Sequence, residues 1–419
     1  MEKFIVMGRT RLEGTVRIGG SKNAVLPIMA ASLLTSKNST IFDVPHLTDV
    51  LTMKKVLEHL GARVNFTSEV LEVDTSGVNR HEVAESLTRQ MRASNLVMGP
   101  LLGRFHRVRV SHPGGCDIGS RPMDLHLKGF QSMGAAIHER YGFIEVEAND
   151  LHGAEIHLDF PSVGATENLM MAAVLAKGQT VIRNAAKEPE IVDLQNFLNG
   201  LGAKVKGAGL DVIRVEGVTS LNSVEYTIIP DRIEAGTYMT AGAITGGDIL
   251  ITNVIPEHLE PISAKLRETG VTVTEYPDSV RVQCAGRARA VDFKTMPYPG
   301  FPTDMQPQVM ALMATADGTT VIAETIFDNR FKHVDELRRM GANIKVEGRA
   351  AIIKGVPRLS GAFVEATDLR AGAALVLAGL AAEDATIIEN IYHIDRGYAQ
   401  LDGKLNGLGA RIMRVNNHR

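Results

Sequence analysis

The chain has 419 residues, of which 44% are hydrophobic and 22% are charged, and its formal net charge is −3. This length predicts two domains, and the near-neutral charge with few aromatic residues argues against a nucleic-acid or membrane-surface partner. Only two cysteines, Cys116 and Cys284, are present, which excludes a disulfide framework and favours a reducing, cytoplasmic compartment. The sequence contains no signal peptide, bilayer-length apolar run or zinc-type Cys/His cluster, so no membrane span, metal or cofactor is expected.

A short phrase recurs six times along the chain. It reads glycine, then alanine or valine, then a variable residue, then valine or isoleucine, and its glycines are 73, 68, 68, 71 and 68 residues apart. This regular spacing predicts a repeated structural unit, which is too long for a common solenoid and is therefore expected to be a small α/β unit. The six glycines are Gly61, Gly134, Gly202, Gly270, Gly341 and Gly409.

Each copy contains the same order of predicted elements. An amphipathic helix, at residues 50–60 in the first copy, ends at the glycine, which acts as a C′ cap with positive φ, and a strand follows at 62–66. Farther upstream lies a helix that is apolar on all sides and is therefore expected to be buried. Such helices are predicted at 24–34, 168–176, 235–244, 308–315 and 371–380, and the strands after them at 40–42, 180–182, 249–251, 320–322 and 386–388.

These buried helices predict an α/β fold in which strands and surface helices wrap around helices. Six copies suit two domains of three copies each, with the split near residues 229–230. The opening strands, at 4–6 and 15–17, precede any complete copy and are predicted to close the C-terminal half. The expected domains are therefore residues 1–21 plus 230–419 and residues 22–229, with the chain crossing between them twice.

Charged and polar residues recur at the predicted starts of the helices. If the copies are equivalent, these positions lie at the same end of every unit, and two facing domains would bring them into one cleft. Helix N-termini and guanidinium groups both favour anions, so the pattern predicts a site for phosphate and carboxylate groups. For Asp231 and Asp368, a helix N-cap is the alternative interpretation. The residues are Lys22, Asn23, Asp49, Arg92, Cys116, Arg121, Thr166, Glu167, Glu188, Asp231, Arg232, Asp304, Arg330, Asp368, Arg370 and Arg396.

The segment 111–125 is predicted to be a loop because it holds three glycines and two prolines within ten positions. Cys116 lies in this loop with Asp117 beside it and Arg121 five residues later. A thiol on an exposed loop near cations has a lowered pKa and becomes reactive. The alternative is an inert cysteine in an ordinary turn. Cys284 lies in a strand-like segment, at residues 280–284, and is interpreted as inert packing.

Seven motifs carry a family resemblance, at residues 19–24, 113–122, 162–166, 298–304, 324–330, 368–372 and 393–397. Together they resemble the UDP-N-acetylglucosamine 1-carboxyvinyltransferases, enolpyruvyl transferases of the EPSP synthase superfamily. The resemblance covers essentially the whole chain and implies a two-domain, inside-out α/β barrel. The implied reaction moves the enolpyruvyl group of phosphoenolpyruvate to the 3′-hydroxyl of UDP-N-acetylglucosamine and releases phosphate. This reaction is the first committed step of peptidoglycan precursor synthesis, and a cysteine rather than an aspartate in the loop implies sensitivity to fosfomycin.

The resemblance also implies catalytic roles. Asp304 would be the general base at the 3′-hydroxyl, with a plain helix N-cap as the alternative. Cys116 would be the general acid, and also the nucleophile that forms an adduct with phosphoenolpyruvate. The cations would bind the phosphate and carboxylate of phosphoenolpyruvate, and Asn23 would orient the tetrahedral intermediate. These cations are Lys22, Arg121 and Arg396. Arg92 would assist Asn23 with the intermediate, and Arg330 and Arg370 would act across the domain gap.

The sugar nucleotide would be bound by the segment after the cysteine and by a Ser-Val-Gly loop. A glycine in that loop, Gly164, suits a backbone that approaches a diphosphate closely, and an ordinary turn glycine is the alternative. The implied residues are Arg121, Pro122, Met123, Asp124, Leu125, Ser162, Val163 and Gly164, together with Asp304 and Ile326 near the sugar. The two small molecules are the only partners implied, and no obligate protein partner is expected.

Three other functions fit part of the sequence. A 3-phosphoshikimate 1-carboxyvinyltransferase would share the fold and the donor, but it lacks the cysteine loop and usually has serine in place of Asn23. An RNA 3′-terminal phosphate cyclase would require a more basic surface. A sensor that binds a UDP-sugar without turnover would have no need of Asp304 or Cys116.

Overall fold

The computed structural model of the chain describes residues 2–112 and 123–416. These residues form two units, which we call the N–C unit (2–19 and 230–416) and the middle unit (20–112 and 123–229). Gly20 and Ser21, assigned from the sequence to the first domain, belong to the middle unit. There the Ser21 amide donates to the Ile229 carbonyl at 2.8 Å. A side chain at Gly20 would not fit, because the Asp43 carbonyl oxygen lies 2.0 Å from where its Cβ would stand.

The elements follow one another in the predicted order, apart from the helices Glu85–Gln90 and Met98–Phe105, which were not predicted from the sequence. Two strands come first, β1 (Glu2–Val6) and β2 (Glu13–Arg17). The middle unit then contains α1 (Lys22–Ala31), β3 (Asn38–Phe42), α2 (Thr48–Leu60), β4 (Arg63–Thr67), β5 (Val70–Asp74), α3 (Glu85–Gln90), α4 (Met98–Phe105), β6 (Arg107–Ser111), α5 (Asp124–Ser132), β7 (Ala136–Arg140), β8 (Phe143–Glu147), β9 (Glu155–His157), α6 (Val163–Ala173), β10 (Gln179–Arg183), α7 (Pro189–Gly200), β11 (Lys204–Lys206), β12 (Val212–Glu216) and β13 (Val224–Thr227).

The N–C unit continues with the remaining three copies. Its elements are α8 (Arg232–Ile244), β14 (Asp248–Thr252), α9 (Glu260–Glu268), β15 (Thr272–Glu275), β16 (Ser279–Gln283), β17 (Phe293–Lys294), α10 (Gln306–Ala314), β18 (Thr319–Ala323), α11 (Val334–Arg339), β19 (Asn343–Glu347), β20 (Ala350–Lys354), β21 (Phe363–Glu365), α12 (Leu369–Ala381), β22 (Thr386–Glu389), α13 (Leu401–Gly407) and β23 (Ile412–Asn416). Short 3₁₀ helices cover Ser32–Leu34, Arg92–Val97, Pro256–Leu259, Thr303–Met305 and Ile391–Arg396.

Each copy contributes one small sheet, and the described residues contain six of them. Five sheets have four strands, in which a parallel pair is extended by antiparallel strands: β13-β3-β5-β4, β9-β10-β12-β11, β2-β14-β16-β15, β17-β18-β20-β19 and β21-β22-β1-β23. The sixth, β6-β8-β7, has three antiparallel strands. In that copy, the parallel neighbour is reduced to a single bridge between Glu82 and Arg109.

The opening strands complete sheets of the N–C unit, as the sequence predicts. β1 lies between β22 and β23, where Phe4 is opposite Ile388 on one side and Arg414 on the other. β2 pairs in parallel with β14, with Val16 opposite Ile251. The chain therefore leaves the N–C unit after two strands and returns to it after residue 229.

One helix of each copy is almost completely buried. All nine residues of α10 are buried, as are twelve of the thirteen residues of α12, from Leu369 to Leu380. Small residues allow these helices to pack closely: a Cβ at Gly99 of α4 would lie 2.3 Å from the Asn168 carbonyl oxygen in α6. The strands alternate between buried and more accessible residues, as in β10. The helices thus form the core, and the sheets cover them.

All six repeat glycines have the left-handed backbone that the sequence predicts, with φ between 89° and 108°. They follow the surface helices α2, α5, α7, α9, α11 and α13, and a strand begins two or three residues after each of them. An L-residue with a side chain pays a steric penalty in this region, whereas glycine does not. The recurring glycine therefore marks the point where each surface helix stops and its hairpin begins.

Alanine at two of these glycines is expected to destabilise the middle unit to different extents. Gly61 and Gly202 have similar φ values, +108° and +101°. At Gly202, the nearest atom to a new Cβ is the Asn222 side-chain nitrogen at 3.4 Å, whereas at Gly61 it is the Gly77 carbonyl oxygen at 2.6 Å. Gly202→Ala is expected to cost about 1–2 kcal/mol from the backbone alone. Gly61→Ala should cost clearly more, and equal losses in chemical denaturation would contradict the clash.

Candidate functional site

The carboxylate of Asp304 is held by two buried guanidinium groups in the N–C unit. Asp304 lies in the 3₁₀ turn before α10, Arg330 follows β18, and Arg370 is the second residue of α12. Oδ1 of Asp304 accepts from Nη2 of Arg330 at 3.0 Å, and Oδ2 accepts from Nη2 and Nε of Arg370 at 3.1 and 3.3 Å. Both arginine side chains are only 2% exposed, whereas that of Asp304 is 28% exposed. The repeat thus brings together three residues that the sequence predicted for the site.

Some donors of these arginines have no acceptor within the described part of the chain. Nε and Nη1 of Arg330 and Nη1 of Arg370 are buried and make no hydrogen bond there. An unsatisfied buried donor costs about 1–3 kcal/mol, and more when it is charged. An anionic ligand that accepts from these groups would remove that cost. The geometry is therefore that of a site prepared for an anion.

The Arg370 guanidinium packs against a buried network of polar side chains. Its guanidinium lies 5.3 Å from the centre of the Tyr398 ring. The Tyr398 hydroxyl is 2.9 Å from Oγ1 of Thr237, and Nε2 of Gln308 donates to both hydroxyl oxygens at 3.1 Å. Burial alone would lower the pKa of Arg370, but Tyr398 and the carboxylate of Asp304 raise it, and the net result is a raised pKa. Arg370 therefore keeps its charge in this buried position.

The three aspartates at helix starts have different roles in the structure. Asp231 and Asp368 are N-caps: Oδ1 of Asp231 accepts from the amides of Ile233 and Glu234, and Oδ1 of Asp368 accepts from those of Arg370 and Ala371. Asp304 lies one residue before Met305, which is the N-cap of α10. The cap interpretation therefore holds for Asp231 and Asp368, whereas the carboxylate of Asp304 is directed to arginines.

In the middle unit, a buried ion pair marks the start of α1. Nζ of Lys22, the first residue of this helix, lies 2.9 Å from Oδ2 of Asp49 in the first turn of α2. The two side chains are 11% and 4% exposed. Ser21 caps α1 by accepting from the Ala24 amide, and Asn23 is half-buried beside it. Lys22 therefore adds a cation to the positive end of a helix dipole.

The predicted Ser-Val-Gly loop is the beginning of helix α6, so this prediction is wrong in its secondary structure. Ser162 is the N-cap, its hydroxyl accepts from the Ala165 amide at 3.3 Å, and Val163 begins the helix. Gly164 is its second residue and is not a turn glycine. A Cβ there would lie 3.3 Å from Cε1 of His126, so the glycine permits close packing. The first amides of a helix have no acceptor within it, and here the Ser162 hydroxyl satisfies that of Ala165.

The residues at 123–125 form the start of α5. Met123 is buried at its N-cap position, and Asp124 is exposed in the first turn. Leu125 is half-buried. The next residue, His126, is buried and its Nδ1 lies 3.0 Å from Nδ2 of Asn168 in α6. This contact joins α5 and α6, whose first residues were predicted to bind the sugar nucleotide, and it could not be predicted from the sequence.

The remaining predicted residues include Ile326, Arg396 and Arg92, which lie in or near short helical or loop segments of the two units. Ile326 is half-buried, and its amide donates to Oε1 of Glu324 at 2.8 Å. Arg396 ends the 3₁₀ helix Ile391–Arg396 and is also half-buried. Arg92 begins the 3₁₀ helix Arg92–Val97, but its side chain is not among those described. Three other predicted residues, Cys116, Arg121 and Pro122, lie outside the described residues.

The second cysteine has the environment of an unreactive thiol. Cys284 is half-buried just after β16, and its sulfur lies 3.5 Å from the Gly286 carbonyl oxygen. Burial raises its pKa, which lowers the fraction of thiolate. Within residues 2–112 and 123–416, the structure has no cluster of three His, Cys, Asp or Glu side chains arranged to hold a metal ion. The same residues include no helix long and apolar enough to cross a membrane.

Comparison with known proteins assigns the chain to a family. The model of the EPSP synthase (3-phosphoshikimate 1-carboxyvinyltransferase) family matches residues 6–405. The chain belongs to this family. Among members of the family, it is 59% identical over 420 residues to UDP-N-acetylglucosamine 1-carboxyvinyltransferase 1 of Symbiobacterium thermophilum, which covers 99% of this chain and 95% of that protein. The enzyme of the same name from Carboxydothermus hydrogenoformans is 58% identical over 416 residues, with 99% of both chains covered.

Solved structures of an enolpyruvyl transferase and of an EPSP synthase have the same fold. The enolpyruvyl transferase NikO from Streptomyces tendae superposes with a TM-score of 0.89 and 27% identity over 99% of both chains. EPSP synthase from Acinetobacter baumannii superposes with a TM-score of 0.77 at 18% identity, over 99% of this chain and 100% of that one. The α/β fold and the family resemblance predicted from the sequence are therefore confirmed.

Proposed function

We propose that this protein transfers the enolpyruvyl group of phosphoenolpyruvate to the 3′-hydroxyl of UDP-N-acetylglucosamine and releases phosphate. The observation that carries this proposal is the identity of 56–59%, over 98–99% of the chain, to proteins named for that transfer. The buried cations support it independently, since both substrates carry phosphate groups and phosphoenolpyruvate also has a carboxylate. The reaction is the first committed step of peptidoglycan precursor synthesis.

Asp304 is the proposed general base. Its carboxylate accepts from Arg330 and Arg370 and remains 28% exposed, so a substrate hydroxyl can approach it. As the 3′-oxygen bonds to C2 of phosphoenolpyruvate, Asp304 takes the hydroxyl proton and C3 gains one from an acid, for which we propose Cys116. Loss of a C3 proton and cleavage of the bond from C2 to the phosphate oxygen then yield the enolpyruvyl ether and phosphate. Each step moves a proton and needs no metal ion.

The cations of both units are proposed to bind the anionic groups. Lys22, paired with Asp49, provides a buried charge in the middle unit, and Arg330 and Arg370 provide two in the N–C unit. Charges held in place before the reaction stabilise the transition state without reorganisation. We assign Arg121 and Arg396 to the same task, and Asn23, assisted by Arg92, to orienting the intermediate. The segments starting α5 and α6, with Pro122 and Ile326, are proposed to bind the sugar nucleotide.

The composition and the chemistry also support a location. We propose that the protein acts in the cytoplasm, because two cysteines in 419 residues suit a reducing compartment. Fractionation of cells expressing the chain at native level would test this proposal, and activity found only in an extracytoplasmic fraction would contradict it.

The test of the reaction is phosphate release from phosphoenolpyruvate with two acceptors in parallel. UDP-N-acetylglucosamine should support release, and shikimate 3-phosphate should not. After fosfomycin treatment, mass spectrometry should find one adduct on Cys116 and none on Cys284, together with loss of activity. Release with shikimate 3-phosphate alone would instead support the shikimate enzyme. Binding of UDP-N-acetylglucosamine without release would support a sensor.

A further inference from the structure

A second carboxylate of the N–C unit, that of Glu324, is buried next to the Asp304 segment. Glu324 follows β18 and is 1% exposed. Its Oε1 accepts from the hydroxyl of Thr295 at 2.8 Å and from the amides of Ile326 and Phe327 at 2.8 and 3.2 Å. Its Oε2 accepts from the hydroxyl of Thr303 at 2.9 Å. This single buried carboxylate thus accepts hydrogen bonds from four neutral donors.

These donors come from two segments with separate tasks in the proposed reaction. Thr303 immediately precedes Asp304, the proposed base. Ile326 lies in the segment that leads to Arg330, which holds one oxygen of the Asp304 carboxylate. Glu324 therefore connects the backbone that carries the base with the segment that carries the sugar contact and one of the arginines.

Further hydrogen bonds join the Glu324 segment to Thr295 and Arg349. The Thr325 amide donates to Oγ1 of Thr295 at 2.9 Å, and the Thr325 hydroxyl donates to the Thr295 carbonyl. The Glu324 amide donates to the Arg349 carbonyl at 2.8 Å. The Thr295 hydroxyl thus donates to Glu324 and accepts from Thr325. Removing the Glu324 carboxylate would leave its four donors, two hydroxyls and two amides, without their acceptor.

From this arrangement we infer that Glu324 is a positioning residue, which sets the place of Asp304 through Thr303 and the place of Ile326 through its amide. The inference rests on the proposed function. Among the residues that the structure describes, the Glu324 carboxylate accepts only from hydroxyl and amide donors, so we infer that it affects the reaction by fixing the positions of Asp304 and Ile326. A base must lie within hydrogen-bond reach of the proton that it takes, so a small displacement of Asp304 is enough to slow the reaction.

The contact with Thr303 can be removed without disturbing the other three. Thr303→Val preserves the shape of the side chain but cannot donate to Oε2, and Thr303→Ser retains the hydroxyl. We expect Thr303→Val to lower kcat by about 10–100-fold and to change the KM for UDP-N-acetylglucosamine by less than about threefold, since a general base contributes roughly 10²–10⁴-fold. Thr303→Ser should restore kcat to within about threefold of wild type. Equal kcat values for the two variants would overturn the inference.

Replacing Glu324 itself gives a second measurement. Glu324→Gln can still accept at one oxygen and can donate to the Thr303 hydroxyl, so it should retain more activity than Glu324→Ala. Glu324→Ala loses both contacts, so it should lower kcat and raise the KM for UDP-N-acetylglucosamine together. If Glu324→Ala fails to fold, the Thr303 pair still decides the matter. Wild-type enzyme is assayed alongside: absence of phosphate release there would refute the proposed function, whereas release without the Thr303 difference would refute only the role of Glu324.

Discussion

Asp304→Asn is expected to lower kcat for phosphate release by about 10²–10⁴-fold, the range for loss of a general base. The amide has almost the same size as the carboxylate, but it cannot take the proton of the 3′-hydroxyl. Binding of UDP-N-acetylglucosamine, measured by calorimetry, should stay within about tenfold of wild type, because a tenfold change is about 1.4 kcal/mol, roughly the net contribution of one hydrogen bond. The two measurements together separate loss of chemistry from loss of binding.

The control for this substitution is Asp335→Asn, in the first turn of α11. Asp335 has a 77% exposed side chain and pairs with Arg338, so the same change at this position should leave kcat unaltered. An Asp304→Asn enzyme with more than a tenth of the wild-type kcat would show that another group is the base. Loss of both binding and turnover would instead assign Asp304 to holding the arginines in place.

Arg330→Met is expected to lower kcat/KM by about 10²–10³-fold, the range for removal of a preorganised donor to developing negative charge. The folded state is expected to lose a moderate amount of stability. Removing one partner of a buried ion pair is destabilising, but the Asp304 carboxylate is 28% exposed and keeps its contact with Arg370. Arg330 is 2% exposed and has two nitrogens without an acceptor in the described part of the chain. The burial of these unsatisfied donors therefore costs folding free energy, which is explained if Arg330 serves the reaction.

The matched control is Arg338→Met in α11, where the side chain is 43% exposed and forms a surface ion pair with Asp335. This variant should show wild-type kcat/KM, and thermal unfolding of both variants should be followed in parallel. A large fall in Tm for Arg330→Met with unchanged kcat/KM would contradict the prediction and would make Arg330 a structural residue.

The repeat could be predicted from the sequence because a left-handed backbone conformation favours glycine, and glycine recurs at the same place in each copy. Each surface helix ends at a residue with φ near 90°, and glycine is the residue that takes this conformation without strain. The helix α4 escaped prediction for a related reason. It contains Gly99, Pro100 and Gly103, which are typical of loops, but both glycines lie against the backbone of α6. Close packing between helices uses glycine too, and sequence alone does not separate the two uses.

Polar residues at helix starts were also visible in the sequence, but their partners were not. Asp231, Asp304 and Asp368 all precede buried helices, yet two cap their own helix and one accepts from arginines. The difference of one residue between Asp304 and the N-cap of α10 decides the role. Helix boundaries are uncertain by more than that in any sequence-based prediction.

The contacts among the supporting side chains of the site could not be predicted from the sequence. Glu324 receives hydrogen bonds from Thr295 and Thr303, which lie 29 and 21 residues before it. Tyr398 and Gln308 meet across 90 residues of chain. Nothing in the sequence next to these residues indicates their partners. The contacts form only when β17, β18 and the buried helices pack together. Buried polar contacts of this kind depend on tertiary structure, and hydrophobic periodicity carries no record of them.

The position of β1 has a consequence for folding during synthesis. Residues 20–229 leave the ribosome as one continuous stretch, so every strand of the middle unit is available before any of the three copies of the N–C unit has been made. β1 is made first, yet both of its sheet neighbours, Thr386–Glu389 and Ile412–Asn416, are made last. Until then, its backbone donors and acceptors lack their native partners. Vectorial synthesis therefore favours early folding of the middle unit, and the first strand to be translated enters its sheet among the last.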